Sequence, residues 1–378
     1  MKIIPHKDIE LNVERESLVS FLFLPEQLDE NTGVFFYVND LNDKAESDYN
    51  KAVLFPAIAE KTNCIVVSVN YFGYLRGERI EFSEAFINNL NRIYALSFSS
   101  SVFKALNNDK EAVVLIANNI VKKGISSLDV RCQPILKTGK NEYQSWGFLP
   151  AIDIITVLGK IIKEYSINKS RIFAYGKNYG GYIAHLMGKY APNTFTAIIE
   201  RDAFCKTKLN HIVGGEVMEP DSEIRLNISG YGQDFTIACA SNNPWTIEDE
   251  DSKFYFSDSH RKIRNLLAEN HRLPSKTKYF MYHSEDNLQT TLAEKEKLVS
   301  LLKETNEVVF KKASERNLFM KISDLDFLEK VIDEYNLKNL VSTAETDFDK
   351  NSSLTFECGE VNYVFDYSDE NRVIVERK

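Results

Sequence analysis

Apolar runs too short for helices recur along the chain, each bounded by a polar or glycine-containing loop. Gly33–Val38, Cys64–Asn70, Arg171–Tyr175, Thr194–Glu200, Thr277–His283 and Glu307–Lys312 each read as a strand. Most are apolar throughout rather than alternating, the pattern of strands covered on both faces. Between them a 3.6-residue period predicts helices within 46–61 (perturbed at Pro56), over 83–125, from about 144 to 164, after 182, over 290–304 and over about 322–337. The stretch 112–121 is apolar enough for a strand, but its length and its Lys122-Lys123-Gly124 ending favour a helix. The amino end reads as a β-hairpin over 8–25, with Glu10–Glu14 alternating, a turn at Arg15-Glu16-Ser17, and Leu18–Leu24 returning. Residues 126–142 are an excursion, 203–275 hold no long clean period, and 353–376 return to a β pattern.

Apolar strands alternating with helices specify an α/β fold with a mostly parallel sheet and helices on both faces. The amino-terminal hairpin and the insertion narrow this to an α/β-hydrolase-like fold, with the insertion over the carboxyl edge of the sheet. The expected domains are 1–340, with its insertion at about 203–275, and a small C-terminal antiparallel β appendage at 341–378.

The candidate chemistry centres on Gly176-Lys177-Asn178-Tyr179-Gly180-Gly181-Tyr182, between an apolar strand and a helical pattern. Strand, tight glycine turn and helix are the setting of a nucleophile elbow, G-x-S-x-G. Asn178 stands where the nucleophile belongs. Asn tolerates the positive φ of that turn but has neither hydroxyl nor thiol. The carboxylate position falls on Asp286, with Glu285 as the competing choice. The histidine is missing: of His6, His185, His211, His260, His271 and His283, none follows Asp286. Its expected place reads Ala313-Ser314-Glu315-Arg316-Asn317-Leu318-Phe319. A proton shuttle would have to come from His211, His260 or His271, which read as surface or interface residues; His185, in the helix after the elbow, reads as packed or solvated.

One oxyanion donor is the backbone N–H of Tyr179. The other belongs to the loop Asn39-Asp40-Leu41-Asn42-Asp43, where a carboxylate from Asp40 or Asp43 would repel an oxyanion. Asn39, Asp40 and Tyr71, at strand ends around this cleft, are the candidate ligand-binding residues. Ser229 and Ser284 lack a strand–turn–helix setting, and Cys205 with His211 matches no dyad signature. The glycines match neither a dinucleotide fingerprint nor a P-loop, and no metal-ligand spacing occurs, so neither cofactor nor metal is expected.

Composition adds exclusions. A net charge of −9 over 378 residues, without a Lys/Arg block, argues against a nucleic-acid partner. Aromatics at 12% suit a Phe- and Tyr-rich core or a ring-binding cleft. Five scattered cysteines (Cys64, Cys132, Cys205, Cys239 and Cys358) fit reduced thiols rather than a disulfide framework. With no signal-peptide h-region and no 18-residue apolar run, the expected place is cytoplasmic, with no membrane partner.

The elbow resembles G-x-S-x-G-G-x of prolyl-oligopeptidase-type serine hydrolases. Val67-Ser68-Val69-Asn70-Tyr71-Phe72-Gly73 is similar to their V-x-V-N-Y-R-G strand end, and Tyr282-His283-Ser284-Glu285-Asp286 to their H-G-x-x-D acid loop. A closer resemblance is to an uncharacterised bacterial family often encoded beside flagellin-glycosylation genes. It rests on Asn141-Glu142-Tyr143-Gln144-Ser145-Trp146-Gly147-Phe148 with Ala151-Ile152-Asp153, and on Tyr179–Tyr182 through Lys189-Tyr190-Ala191-Pro192. It spans about residues 60–340 and implies the fold and a link to surface-glycan or flagellar glycosylation, but no activity. Together these features predict lost triad chemistry on a kept scaffold, binding a small molecule, such as an acylated sugar, or a partner. An ester hydrolase or acyl transferase with an unconventional site, and an assembly protein, are the alternatives.

Overall fold

In a computed structural model, the structure describes every residue except 76–78, 106–108, 126, 129–133, 138–141, 218, 228–233, 242, 315–318, 320 and 370–371. Cys132, Ser229 and the Gly230-Tyr231-Gly232 run therefore lie outside the described residues. The chain forms two compact units: 1–74, 145–207 and 257–378 make the first, and 75–144 with 208–256 make the second.

The first unit is built on an eight-stranded sheet: β1 (Lys2–Ile3), β2 (Leu18–Phe23), β3 (Gly33–Val38), β4 (Cys64–Asn70), β5 (Ile172–Lys177), β6 (Ala197–Arg201), β7 (Lys278–Ser284) and β8 (Glu307–Ala313). Their spatial order is β1-β2-β4-β3-β5-β6-β7-β8. From β4 to β8 every neighbouring pair is parallel, while β2 is antiparallel to β4 and β1 to β2. One face, carrying Phe35, Tyr37, Phe173, Tyr175, Phe280 and Tyr282, packs on α1 (Phe55–Thr62) and on the helix Asp324–Glu334 near the carboxyl end. Side chains alternate along strands, so Val34, Phe36, Ala174 and Ile198 face the other layer. That layer holds α2 (Phe148–Glu164) and α3 (Asn178–Tyr190), and Gly188 of α3 lets the helix approach Ile198 of β6.

The expected helix within 46–61 begins as a π-helical turn, Asn50–Leu54, and becomes α1 with Pro56 in its first turn, where a missing N–H leaves no bond unmade. The expected hairpin is corrected. Residues 10–14 form no strand, because Asp8 accepts the N–H groups of Glu10, Leu11 and Val13 that a ladder would use. The partner of β2 is instead Lys2–Ile3.

The second unit has its own sheet, ordered Ser222–Asn227, Asp234–Ser241, Ile135–Lys137 and Arg79–Glu81, with Ser127–Leu128 also pairing with 234–241. Helices Glu84–Tyr94 and Asp109–Val121 supply Phe86, Leu90, Val113, Ile116 and Ile120 to a core with Leu136, Phe235 and Ile237. The expected insertion at 203–275 is thus redrawn: 75–144 joins 208–256 because their strands share one sheet, and 257–275 belongs to the first unit.

The expected division at 340 is also redrawn. The antiparallel sheet β9 (Ser353–Cys358), β10 (Val361–Asp366) and β11 (Ile374–Arg377) belongs to the first unit. Its aromatics bind it there: Phe365 stacks on Tyr190 at 4.6 Å and Tyr363 packs on Phe148 at 5.4 Å.

Glycine is obligatory at one junction. A Cβ on Gly180 would lie 2.3 Å from the carbonyl oxygen of Val38, so the start of α3 sits against the end of β3 only without a side chain there. Gly180→Ala is expected to lower unfolding stability by about 1–3 kcal/mol, the usual range for overpacking. Urea denaturation of the two proteins measures it; an unchanged midpoint would contradict the tight approach.

Candidate functional site

β5 ends at Lys177, α3 begins at Asn178, and Asn178 has φ +46°, the left-handed conformation expected of the elbow's central residue. The amide Nδ2 of Asn178 donates to Asp40 Oδ2 at 2.9 Å. The backbone N–H of Tyr179 donates to Asp40 Oδ1 at 3.3 Å. The expected repulsive carboxylate is therefore bound at the oxyanion donor itself, and two donors share it. Burial raises the Asp40 carboxyl above its ordinary value, opposed by the Asn178 amide and by Lys177. At the start of α3 the helix dipole also favours an anion.

Asn39 and Tyr71, expected to bind ligand, brace the carboxyl edge of the sheet. They are 0% and 1% exposed. Tyr71 Oη donates to the Asn39 carbonyl at 2.9 Å, and Ser68 Oγ donates to Asn39 Oδ1 at 2.8 Å. The Tyr179 ring is held from behind by Trp146 at 5.2 Å, and its hydroxyl accepts the Gly147 N–H at 2.8 Å. Trp146 and Gly147 both have positive φ, which turns the chain sharply into α2. Ser145 accepts the Leu149 N–H at 2.9 Å, and its carbonyl receives Arg264 Nε at 3.0 Å. Asp153 pairs with Arg15 at 2.7 Å and takes the Phe72 N–H at 2.9 Å. The residues of the 145–153 stretch thus form a buried frame behind the elbow.

Asp286 is exposed in the turn after β7. The buried carboxylate at that strand end is Asp202, in the turn after β6, with φ +55°. It accepts the Ser284 N–H and Ser284 Oγ, both at 2.8 Å, and lies 3.3 Å from His283 Nδ1. Burial, with Lys295, pushes the His283 imidazole down to about 4 against the pull of Asp202. Ser284 is therefore a buried latch and not a nucleophile. Burial likewise pushes the Cys205 thiol up to about 11, far from a reactive thiolate.

Asp324, at the first position of the helix Asp324–Glu334, joins the ends of three strands. It receives Tyr37 Oη at 2.5 Å, Tyr175 Oη at 2.9 Å and Lys177 Nζ at 3.0 Å, and pairs with Arg201. Burial disfavours its charge, yet Lys177, Arg201 and Tyr37 hold the carboxyl below its ordinary value. Neither Asp202 nor Asp324 was among the candidates from sequence. The available signal was the charged Glu200-Arg201-Asp202 ending an apolar strand, and a Ser323-Asp324 helix start.

The histidines make their contacts away from the elbow. His260 Nδ1 pairs with Ser257 Oγ at 2.8 Å in a helix cap, His271 Nε2 meets the Glu357 carbonyl at 2.8 Å, and His185 stacks on Tyr279 at 5.4 Å. The His211 carbonyl accepts from Asn243 within the second unit. Among the described residues, no hydrogen bond joins a histidine to Asn178, and no group of three or more His, Cys, Asp or Glu is placed to hold a metal. No helix of the described residues is long and apolar enough to cross a membrane.

Strand order and elbow define an α/β-hydrolase scaffold with an amide at the nucleophile position. The chain belongs to the family described as protein of unknown function (DUF2920), whose model matches residues 1–375. No curated protein matches it. Similar solved structures include prolyl oligopeptidase B of Galerina marginata (11% identity, TM-score 0.46, covering 91% of this chain and 37% of that one). Dipeptidyl peptidase 4 of Porphyromonas gingivalis is similar at 11% identity and TM-score 0.42, over 90% of this chain and 35% of that one. An S-formylglutathione hydrolase of Agrobacterium tumefaciens is similar at 10% identity and TM-score 0.42, over 89% and 94%. The chain spans 37% and 35% of the two peptidases, little more than a third of either.

Two outcomes follow from these contacts. Asp324→Ala leaves the Arg201 guanidinium, 2% exposed, without its carboxylate and is expected to cost about 3–5 kcal/mol in urea unfolding; a loss below 1 kcal/mol would show the pair to be dispensable. A buried histidine held below its unfolded value binds its proton more readily when unfolded, so stability falls as pH drops through 6.5 towards 4. Between pH 7 and pH 5, wild type should lose about 2 kcal/mol more than His283→Gln. Equal losses in the two proteins would exclude that assignment.

Proposed function

We propose that this chain is a non-hydrolytic member of the α/β-hydrolase fold that binds a small molecule or a partner at the former active-site cleft. The observation that carries the reading is the Asp40 carboxylate bound by Asn178 Nδ2 and the Tyr179 N–H. An acyl-transfer site needs an activated nucleophile and a free donor for the developing oxyanion. Here an amide stands in place of the first, and a negative charge sits on the second. That no hydrogen bond among the described residues joins a histidine to Asn178 supports the same reading. The resemblance to a bacterial family encoded beside flagellin-glycosylation genes supports a ligand from that chemistry, an acylated sugar or its relative.

The test has two arms. With p-nitrophenyl acetate and butyrate, the protein is expected to show no turnover above the uncatalysed rate, and a fluorophosphonate is expected to leave it unlabelled. Turnover that Asn178→Ala abolishes would overturn the reading. In Asp40→Gly, acetate is expected to shift the Tyr179 amide resonance by occupying the freed donor, while wild type shows no shift. If wild type responds as strongly as the variant, Asp40 does not hold that site.

A further inference from the structure

β8 ends one side of the eight-stranded sheet, and among the described residues no strand pairs with its outer edge. Its neighbour is β7, parallel to it along Glu307–Ala313. β3, in the interior of the sheet, is buried at every position, whereas β8 is buried only at Ala313. The Ala313 carbonyl accepts the Glu285 N–H on the inner side. Backbone groups point to alternate sides along a strand, so Glu307, Val309, Lys311 and Ala313 serve β7. Val308, Phe310 and Lys312 therefore turn their N–H and C=O groups outward. Among the described residues, no backbone group bonds to them. An open row of this kind is a template for a further strand.

The strand is apolar in the middle and charged towards both ends, reading Glu307-Val308-Val309-Phe310-Lys311-Lys312. It contains no proline, so each outward residue keeps its donor. Lysines on an edge commonly repel an incoming strand. Here both are matched within the chain. Lys311 pairs with Glu334 and lies over the Tyr282 and Tyr335 rings, and Lys312 pairs with Glu296 at 3.2 Å. Glu307 pairs with Lys278 at 2.8 Å.

The same sequence is complementary to itself when reversed. In antiparallel self-pairing about a two-fold axis, an outward residue must face an outward residue, which leaves few registers. With the axis on Phe310, Glu307 faces Ala313 and Lys311 faces Val309. With the axis on Val308, Glu307 faces Val309 and Lys311 faces Thr305. With the axis on Val309, Glu307 faces Lys311, Val308 faces Phe310 and Val309 faces its own copy. Of these three, only the last sets opposite charges against each other, and it also sets apolar residues against apolar ones. Both kinds of cross-strand pair are favourable. The contact uses up the β8 edge of both copies, so it closes at two.

We infer that the outer edge of β8 is a self-association surface. Two copies of the chain pair β8 with β8, antiparallel about Val309, with Glu307 of each against Lys311 of the other. The surface is independent of what the elbow binds.

Sedimentation of the full-length protein, from low micromolar to several hundred micromolar, tests it. Wild type is expected to pass reversibly from monomer to dimer across that series. Val308→Pro deletes an outward N–H and leaves the bonds to β7 in place. With its fold checked by circular dichroism, that variant is expected to remain monomeric. Glu307→Lys sets two lysines against each other, and Lys311→Glu two glutamates, so each alone is expected to weaken association about tenfold. Mixed in equal amounts, the two variants oppose unlike charges again and are expected to recover the wild-type dimer, which a folding defect would not allow. A wild type that stays monomeric throughout would overturn the proposal. So would a dimer that Val308→Pro leaves unchanged, or a mixture of the charge variants that associates no better than either alone.

Discussion

The close approach of β3 and α3 governs what the elbow can do. The backbone of Gly180 lies against the Val38 carbonyl with no space for a Cβ, and this fixes where the chain after β3 emerges. Two residues on, Asp40 meets the Tyr179 N–H at the start of α3 and the Asn178 side-chain amide. In a hydrolase this proximity brings a second oxyanion donor to the substrate. In this chain the same proximity delivers a carboxylate. Helix starts need an acceptor for their free N–H groups, and a side chain in that role is worth about 0.5–2 kcal/mol. Asp40 therefore serves as a cap for α3 supplied from the loop after β3.

The other strand ends are also closed by buried side-chain contacts. Asp202 closes the β6 turn onto β7 through both groups of Ser284. Asp324 gathers Tyr37, Tyr175, Lys177 and Arg201 from three adjacent strands. Glu200 and Lys295 form a fully buried pair at 3.0 Å, with Lys295 also donating to the Ala203 carbonyl. The carboxyl edge of a parallel sheet is where α/β proteins place their reactive groups. Here Asp324 pairs with Arg201 and Glu200 with Lys295, and each of these is too buried to be left alone without a large penalty.

The α/β layering was legible because strands buried on both faces leave unbroken apolar runs, as at Cys64–Asn70 and Ile172–Tyr175. The positive φ at Asn178 was legible because so few residue types tolerate it. The amino-terminal hairpin was misread because Glu10–Glu14 does alternate, but Glu10 is fully buried against Arg264 and Asp8 takes the local N–H groups. The second unit was only half seen. Its strands at 79–81 and 135–137 are three residues long, too short to show a period; they pair with each other, and 135–137 pairs with a strand a hundred residues later. Asp324 and Asp202 stayed hidden for a similar reason: their partners are distant in sequence, and a single carboxylate at a helix start or turn carries no local mark of them.

Asp40 is a tethered competitor. A group held on the same chain acts at an effective concentration on the order of millimolar or above, without any loss of translational freedom when it binds. A free carboxylate arriving at the Tyr179 N–H contends with that occupant at every encounter. Its apparent affinity is reduced by the fraction of time Asp40 spends in place. A neutral molecule that left the Asp40 contacts standing would not meet this competition, so selection at the elbow would act on charge before shape.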